Sequence, residues 1–411
     1  MNNVDNKVFE KIAKLAVNVG INLQKGQEVT LTISTNADYL APYIVEEAYK
    51  AGAKKVDINW YNDKTSRLSM EYCDLETLST VENWKVEKAK HLSEVIPCKI
   101  YIEDSDPDAF NGLDVDKMTK SRIAQMKVLK PYHDLQENKD QWTILAVPSK
   151  SWAKKVFPND DEETGMVKLW DAIVKTTRLD GDDPVENWNK HVKNLSEKAT
   201  KLNNLNLDYL KYSSSNGTDL TLKLQPNHFW LSAQETNLKG IPFVANMPTE
   251  EVFTMPKRDG VNGVVVATKP LSLHGILVEN FKVYFKDGKA YKVEAEKGLE
   301  VLEKTLDMDE SSRYLGEVAL VPYDSPINQT GLLFYNTLFD ENACCHLAFG
   351  RAFANNIKGY EDMSQEDLEK VGFNDSMNHI DFMIGSNDLE IKGYDFEGKE
   401  FIIFKNGVWA L

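Results

Sequence analysis

The sequence predicts an α/β N-terminal domain with a mainly parallel sheet, followed by a strand-rich α+β domain. Three observations carry this expectation. The first half alternates strand-like and amphipathic helical runs; the second half has short strands between tight-turn signals; and a charged helical stretch, Glu186 to Leu205, separates them. Strands spaced by helices imply parallel pairing with both sheet faces covered. At 411 residues the chain exceeds the usual size of one core, so two domains are expected, 1–190 and 191–411.

Taken in order, Phe9, Ile12, Leu15, Ala16 and Val19 recur at helical spacing, and Gly20 closes the segment. Glu28 to Ser34 then reads as a strand, and Tyr39 to Tyr49 as an amphipathic helix ending near Gly52. Further strands are expected at Val56–Trp60, Lys99–Ile102 and Thr143–Val147, with helices around 76–94, 116–130 and 163–178. In the second half, Asn216-Gly217, Asp259-Gly260 and Asp287-Gly288 are turn signals. The last joins Phe281–Phe285 to Ala290–Val293, and a helix is expected near 297–306. No internal repeat and no low-complexity tract is present.

Composition narrows the classes. Hydrophobic residues make up 42% and charged residues 27%, as in an ordinary soluble globular protein. No apolar run approaches the ~18 residues that span a bilayer. The opening Met-Asn-Asn-Val-Asp-Asn lacks the order of a secretion signal, so a cytoplasmic protein is expected. The net charge of −16 opposes nucleic-acid backbones and anionic membranes, and tolerates cationic ligands such as a free amino terminus. Neither nucleotide-binding glycine motif is present. Cys73, Cys98, Cys344 and Cys345 contain no Cys-x-x-Cys pair, and the adjacent two read as buried packing rather than a nucleophile. His91, His133 and His191 lie in polar helical segments and read as solvated.

The chemistry concentrates after residue 245. Glu250 and Glu251 lie between Pro248 and Pro256, with Val252 and Phe253 inviting burial. Adjacent carboxylates on extended backbone point to opposite faces, so one can bind a metal while the other acts on water. In a strand, His379 and Asp381 would face the same side. Glu317 sits in the buried-strand pattern Leu-Gly-Glu-Val-Ala-Leu-Val. Glu341 and His346 are five residues apart, ~140° on an ideal helix, so joint coordination needs a turn between them. Each has a plainer reading alone: an acidic turn, a sheet-edge acid, a buried His–Asp hydrogen bond. With one of the Glu250–Glu251 pair set aside to act on water, three glutamates and one aspartate carry four negative charges in mostly apolar contexts. That charge matches two divalent cations, and mixed carboxylates and imidazoles suit zinc, cobalt or manganese.

Four segments carry a resemblance: Asn246-Met-Pro-Thr-Glu-Glu-Val-Phe-Thr-Met-Pro256, Gly316-Glu317, Glu341-Asn-Ala-Cys-Cys-His-Leu-Ala-Phe-Gly350 and His379-Ile-Asp-Phe-Met-Ile-Gly385. In order and spacing they resemble the thermophilic metallo-aminopeptidase family, and the likeness extends over nearly the whole chain. It implies that the second domain binds two divalent metals (zinc, cobalt, manganese or magnesium) through Glu251, Glu317, Glu341, His346, His379 and Asp381. Glu317 would be the bridging carboxylate, and Glu250 is inferred as the general base. It further implies release of N-terminal residues from peptides with a free amino terminus, and a homodimer. A fold that kept peptide binding without turnover, and a dimetal hydrolase of other amides or esters, are the alternatives. One position departs from the family: seven residues after His346, where a tyrosine is usual, stands Phe353. Phenylalanine cannot donate a hydrogen bond to a developing oxyanion, a loss that can lower turnover ~10²–10³-fold. Arg351 and Tyr360 are the nearby substitutes.

Overall fold

The computed structural model describes residues 6–104, 106–273 and 276–411, so part of the opening segment lies outside the described residues. The chain divides into two compact units: Met1–Lys190 with Gln234–Pro248, and His191–Ala233 with Thr249–Leu411.

In the first unit, Lys55–Tyr61, Glu28–Ser34, Cys98–Glu103 and Trp142–Ala146 form a sheet in that spatial order, every pairing parallel. Its two central strands bury Leu31, Ile33, Ile100 and Ile102, as expected where helices cover a parallel sheet. Helix Asn6–Leu15 turns Phe9, Ile12, Ala13 and Leu15 inward, and the chain continues as a wider turn over Ala16–Gly20. The expected helices at 116–130 and 163–178 are Val115–Asp134 and Glu162–Thr176, each begun by an aspartate side chain that accepts from a first-turn amide. The expected helix at 76–94 is two, Leu75–Ser79 and Asn83–Val95, with the β-branched pair Thr80-Val81 outside both. Helices Asp63–Tyr72 and Lys150–Val156 were not anticipated; their caps, Asn62 and Ser149, were the available signal. Residues 234–248 return to this unit, where Ala245 and Met247 hydrogen-bond to Ile144 on the edge strand.

The second unit holds an eight-stranded antiparallel sheet. Its order is Lys289–Glu294, Lys282–Lys286, Pro256–Val266, Asp219–Leu224, Leu207–Ser213, Glu390–Asp395, Glu400–Lys405 and Val408–Trp409. Asn216-Gly217 and Asp287-Gly288 make turns in it; at the latter both φ angles are positive, 48° and 81°, as a two-residue hairpin turn requires. Asp259-Gly260 is not a turn. It lies inside Pro256–Val266, where the pairing slips between Pro256 and Val261, so an irregularity in the ladder absorbs the glycine. The expected helix near 297–306 is Leu299–Leu306.

A smaller antiparallel sheet carries the acids and histidines, in the order His379–Met383, His346–Gly350, Leu315–Leu320 and Val252–Thr254. One face bears Val318, Leu347, Phe349 and Phe382, all fully buried. Phe349 stacks on Phe382 at 4.8 Å and on Phe285 at 6.0 Å, tying this face to the larger sheet's hairpin. Each such ring contributes ~1.5–3 kcal/mol through burial. The architecture is the one expected: a parallel sheet with helices, then a strand-rich antiparallel region. Among the described residues no helix is long and apolar enough to cross a membrane.

Candidate metal centre

Strand register places the site. Ala348 lies opposite both Glu317 and Asp381, and Gly350 lies opposite His379. Residues directly opposite in a ladder point to the same face, as do residues two apart. Glu317, Asp381, His379 and His346 therefore share one face, with Ala348 and Gly350 between them. These small residues leave room where a larger side chain would fill the space. The spacing of His379 and Asp381 acts as expected, although the intervening Ile380 is half-buried rather than deep in the core. Gly316 admits the close backbone approach beside Glu317: a Cβ there would collide with the carbonyl oxygens of Gly350 and Arg351. Glu251 immediately precedes Val252–Thr254 on the neighbouring edge.

The side chains converge. His346 Nε2 lies 3.3 Å from Glu251 Oε2 and 3.5 Å from Glu317 Oε1. His379 Nε2 lies 3.2 Å from Asp381 Oδ1 and 3.5 Å from the other oxygen of Glu317. Two groups could each hold a metal ion: Glu251, Glu317 and His346, and Glu317, His379 and Asp381, with ligand atoms within 4.8 Å of one another. Glu317 belongs to both. His379 Nδ1 is 2.8 Å from the Arg351 carbonyl; donating there leaves Nε2 as the ligand nitrogen. His346 Nδ1 is buried without a hydrogen-bond partner.

Electrostatics support a cation. Among the described residues, the ion-pair partners of Glu251, Glu317 and Asp381 are the two histidines. Burial pushes the Glu317 carboxyl up, with Glu251 and Asp381 adding repulsion against the help of His346. Burial, Asp381 and Glu251 hold Glu341 well above the usual range. Burial opposes charge on His379, but Asp381 and Glu317 outweigh it and lift the imidazole to about 10. His346 is likewise held well above its ordinary value, its burial overcome by Glu251 and Glu317. Buried acids that resist ionisation without protons on their neighbours are a donor set suited to divalent metal.

The other anticipated residues fall as follows. Glu341 begins a short 3₁₀ turn, Glu341–Ala343, that leads into the His346 strand, supplying the turn which joint action requires. It feels Asp381, Glu251, His346 and Glu317, yet no described three-ligand group contains it. Glu250 is buried, and its Oε2 lies 3.8 Å from His191 Nε2. His191 is thus not the solvated residue expected: its side chain is 10% exposed and its Nε2 lies 2.8 Å from the Thr249 carbonyl. A lone histidine in a charged helix gave no warning of this. Asn342, fully buried, was also missed, although it stands inside the Glu341 motif. Phe353 is 40% exposed, edge-on to Phe253 at 6.3 Å and 5.0 Å from the His379 ring. Of its two substitutes, Arg351 holds His379 through its backbone, while Tyr360 packs on the cluster of Met255, Leu368 and Phe373.

Fold and site together define a protein with a buried carboxylate–imidazole cluster that could hold metal ions. The chain belongs to the thermophilic metalloprotease (M29) family, whose model matches residues 5–409. It is 46% identical to aminopeptidase AmpS of Bacillus subtilis (strain 168), over 97% of each chain. It is 42% identical to aminopeptidase PepS of Streptococcus thermophilus, over 98% of each. The solved structure of wild-type AmpT from Thermus thermophilus matches with a TM-score of 0.91 at 37% identity, covering 99% of this chain and 100% of that one.

Proposed function

We propose that this chain is an aminopeptidase that works with two divalent cations. Glu251, Glu317 and His346 would hold one, and Glu317, His379 and Asp381 the other, with Glu341 beside both. The observation that carries this is the sharing of Glu317, whose two oxygens face different histidines at 3.5 Å each. When bound, the cations supply Lewis acidity toward the peptide carbonyl and toward water. Glu250 takes a proton from the attacking water and returns it to the leaving amine. Acidic residues near the cations hold the substrate's free α-amino group. Phe253 and Phe353 give the entering peptide an apolar wall beside His379.

Metal analysis combined with chromophore release from aminoacyl anilides tests the proposal. Two equivalents of metal are expected, with hydrolysis lost on chelation and on blocking the amino group. Less than one equivalent after reconstitution, with no amide hydrolysis, would overturn it. Phe353 favours one second reading, peptide binding without turnover, which calorimetry would show as binding without cleavage. Hydrolysis that survives a blocked amino group would instead indicate an amidase or esterase. The family resemblance adds a homodimer, which light scattering of the purified chain checks.

A further inference from the structure

We infer that His191 and Asn342 are positioning residues that grip the Thr249–Glu250 peptide from opposite ends and thereby aim Glu250 and Glu251. This rests on the roles proposed for those two glutamates. The carbonyl of that peptide accepts from His191 Nε2 at 2.8 Å, and its N–H donates to Asn342 Oδ1 at 2.8 Å. A peptide unit is planar and rigid, so fixing both its polar groups fixes its orientation. The chain direction entering Glu250 and Glu251 is set with it. Both holders are sheltered: the His191 side chain is 10% exposed and Asn342 is fully buried.

The two come from separate elements. His191 projects from helix Pro184–Leu205, and Asn342 from the 3₁₀ turn Glu341–Ala343. Asn342 is itself held, its amide donating to the Leu338 carbonyl at 3.2 Å and to Glu341 Oε1 at 3.3 Å. One side chain thus links the Glu341 carboxylate to the peptide that presents Glu250. Of the two oxygens near His191 Nε2, the Thr249 carbonyl at 2.8 Å is within hydrogen-bond distance, and Glu250 Oε2 stands farther off at 3.8 Å. Loss of such outer partners typically lowers metal affinity or activity about 10–100-fold.

The test compares full-length His191→Phe, which keeps a ring and removes the donor, with His191→Gln, whose amide nitrogen falls near the imidazole Nε2. Each is titrated with cobalt(II) alone, followed by visible absorption, and then assayed at saturating cobalt on an aminoacyl anilide. For His191→Phe, cobalt affinity should fall about tenfold and kcat about 10–100-fold, with KM within about twofold and Tm nearly unchanged. His191→Gln should recover both losses to within about threefold. Asn342→Leu, which keeps the buried volume, should be less than additive with His191→Phe because both act on one peptide. Wild-type values in His191→Phe, or equal losses in the Phe and Gln variants accompanied by a lower Tm, overturn the inference. A wild type that hydrolyses nothing overturns the aminopeptidase reading instead, while the cobalt affinities still decide the grip.

Discussion

Glu317 is where the two three-ligand groups meet, so its loss should be felt differently from the loss of an outer ligand. Glu317→Gln is expected to abolish binding of both cations, whereas His379→Ala should spare the Glu251–His346 side; metal content by plasma emission separates the two outcomes. Glu250→Gln keeps the shape and removes the base. Its kcat should fall by about 10²–10⁴ with metal content unchanged, and an unchanged kcat would remove Glu250 from the proton path. At Phe353 the expected direction is upward. Phe353→Tyr adds a hydroxyl next to His379, where a single oxyanion donor is worth about 10²–10³ in turnover. A rise of at least about tenfold in kcat is expected, and no change would show that the hydroxyl does not reach the reacting carbonyl.

At the scale of elements, the four-stranded sheet turns sequence spacing into a site. Antiparallel register sets Glu317, Ala348 and Asp381 in one row, and His346 and Gly350 take the same face two residues to either side. Ala348 is fully buried in the middle of that row. Ala348→Leu should place a branched side chain between the two carboxylates and lower metal affinity at least about tenfold, as calorimetric titration would report. The alternation His-Ile-Asp and the apolar Val-Ala-Leu-Val run made these strands legible in the sequence. The ladder irregularity at Asp259-Gly260 was not, because a turn dipeptide has the same appearance inside a bulged strand as in a hairpin. The grip on the Thr249–Glu250 peptide was also invisible, since it joins residues 58 and 92 positions apart.

Across the whole molecule, the metal-free centre concentrates groups whose protonated forms are favoured by folding. Glu317 and Glu341 are raised by burial and His379 reaches about 10, whereas Asp381 is lowered, its burial overcome by His379; outside the ligand set, Asp340 is raised by burial to about 7. A group raised in the folded state contributes stability below its unfolded value and loses it as pH climbs through the folded value. The metal-free protein should therefore lose stability from pH 6 to 9. Metal binds the deprotonated ligands, so the stabilisation it brings should grow over the same range. Tm measured with and without added zinc across these pH values checks both slopes, and a metal-free Tm that rises through this window contradicts the arrangement.

The sequence by itself determined the order of helices and parallel strands in the first half and the antiparallel hairpins of the second. It also marked Glu250, Glu251, Glu317, Glu341, His346, His379 and Asp381 as the acids and histidines to watch. Those features follow from periodicities of two and 3.6 residues and from the rarity of charge in apolar runs, which are local properties of a chain. Tertiary structure alone decided that both oxygens of Glu317 face histidines, that residues 234–248 return to the first unit, and that His191 is sheltered beside Thr249. Each of these depends on strand register or on the meeting of segments far apart in sequence, and no spacing within one segment encodes such contacts.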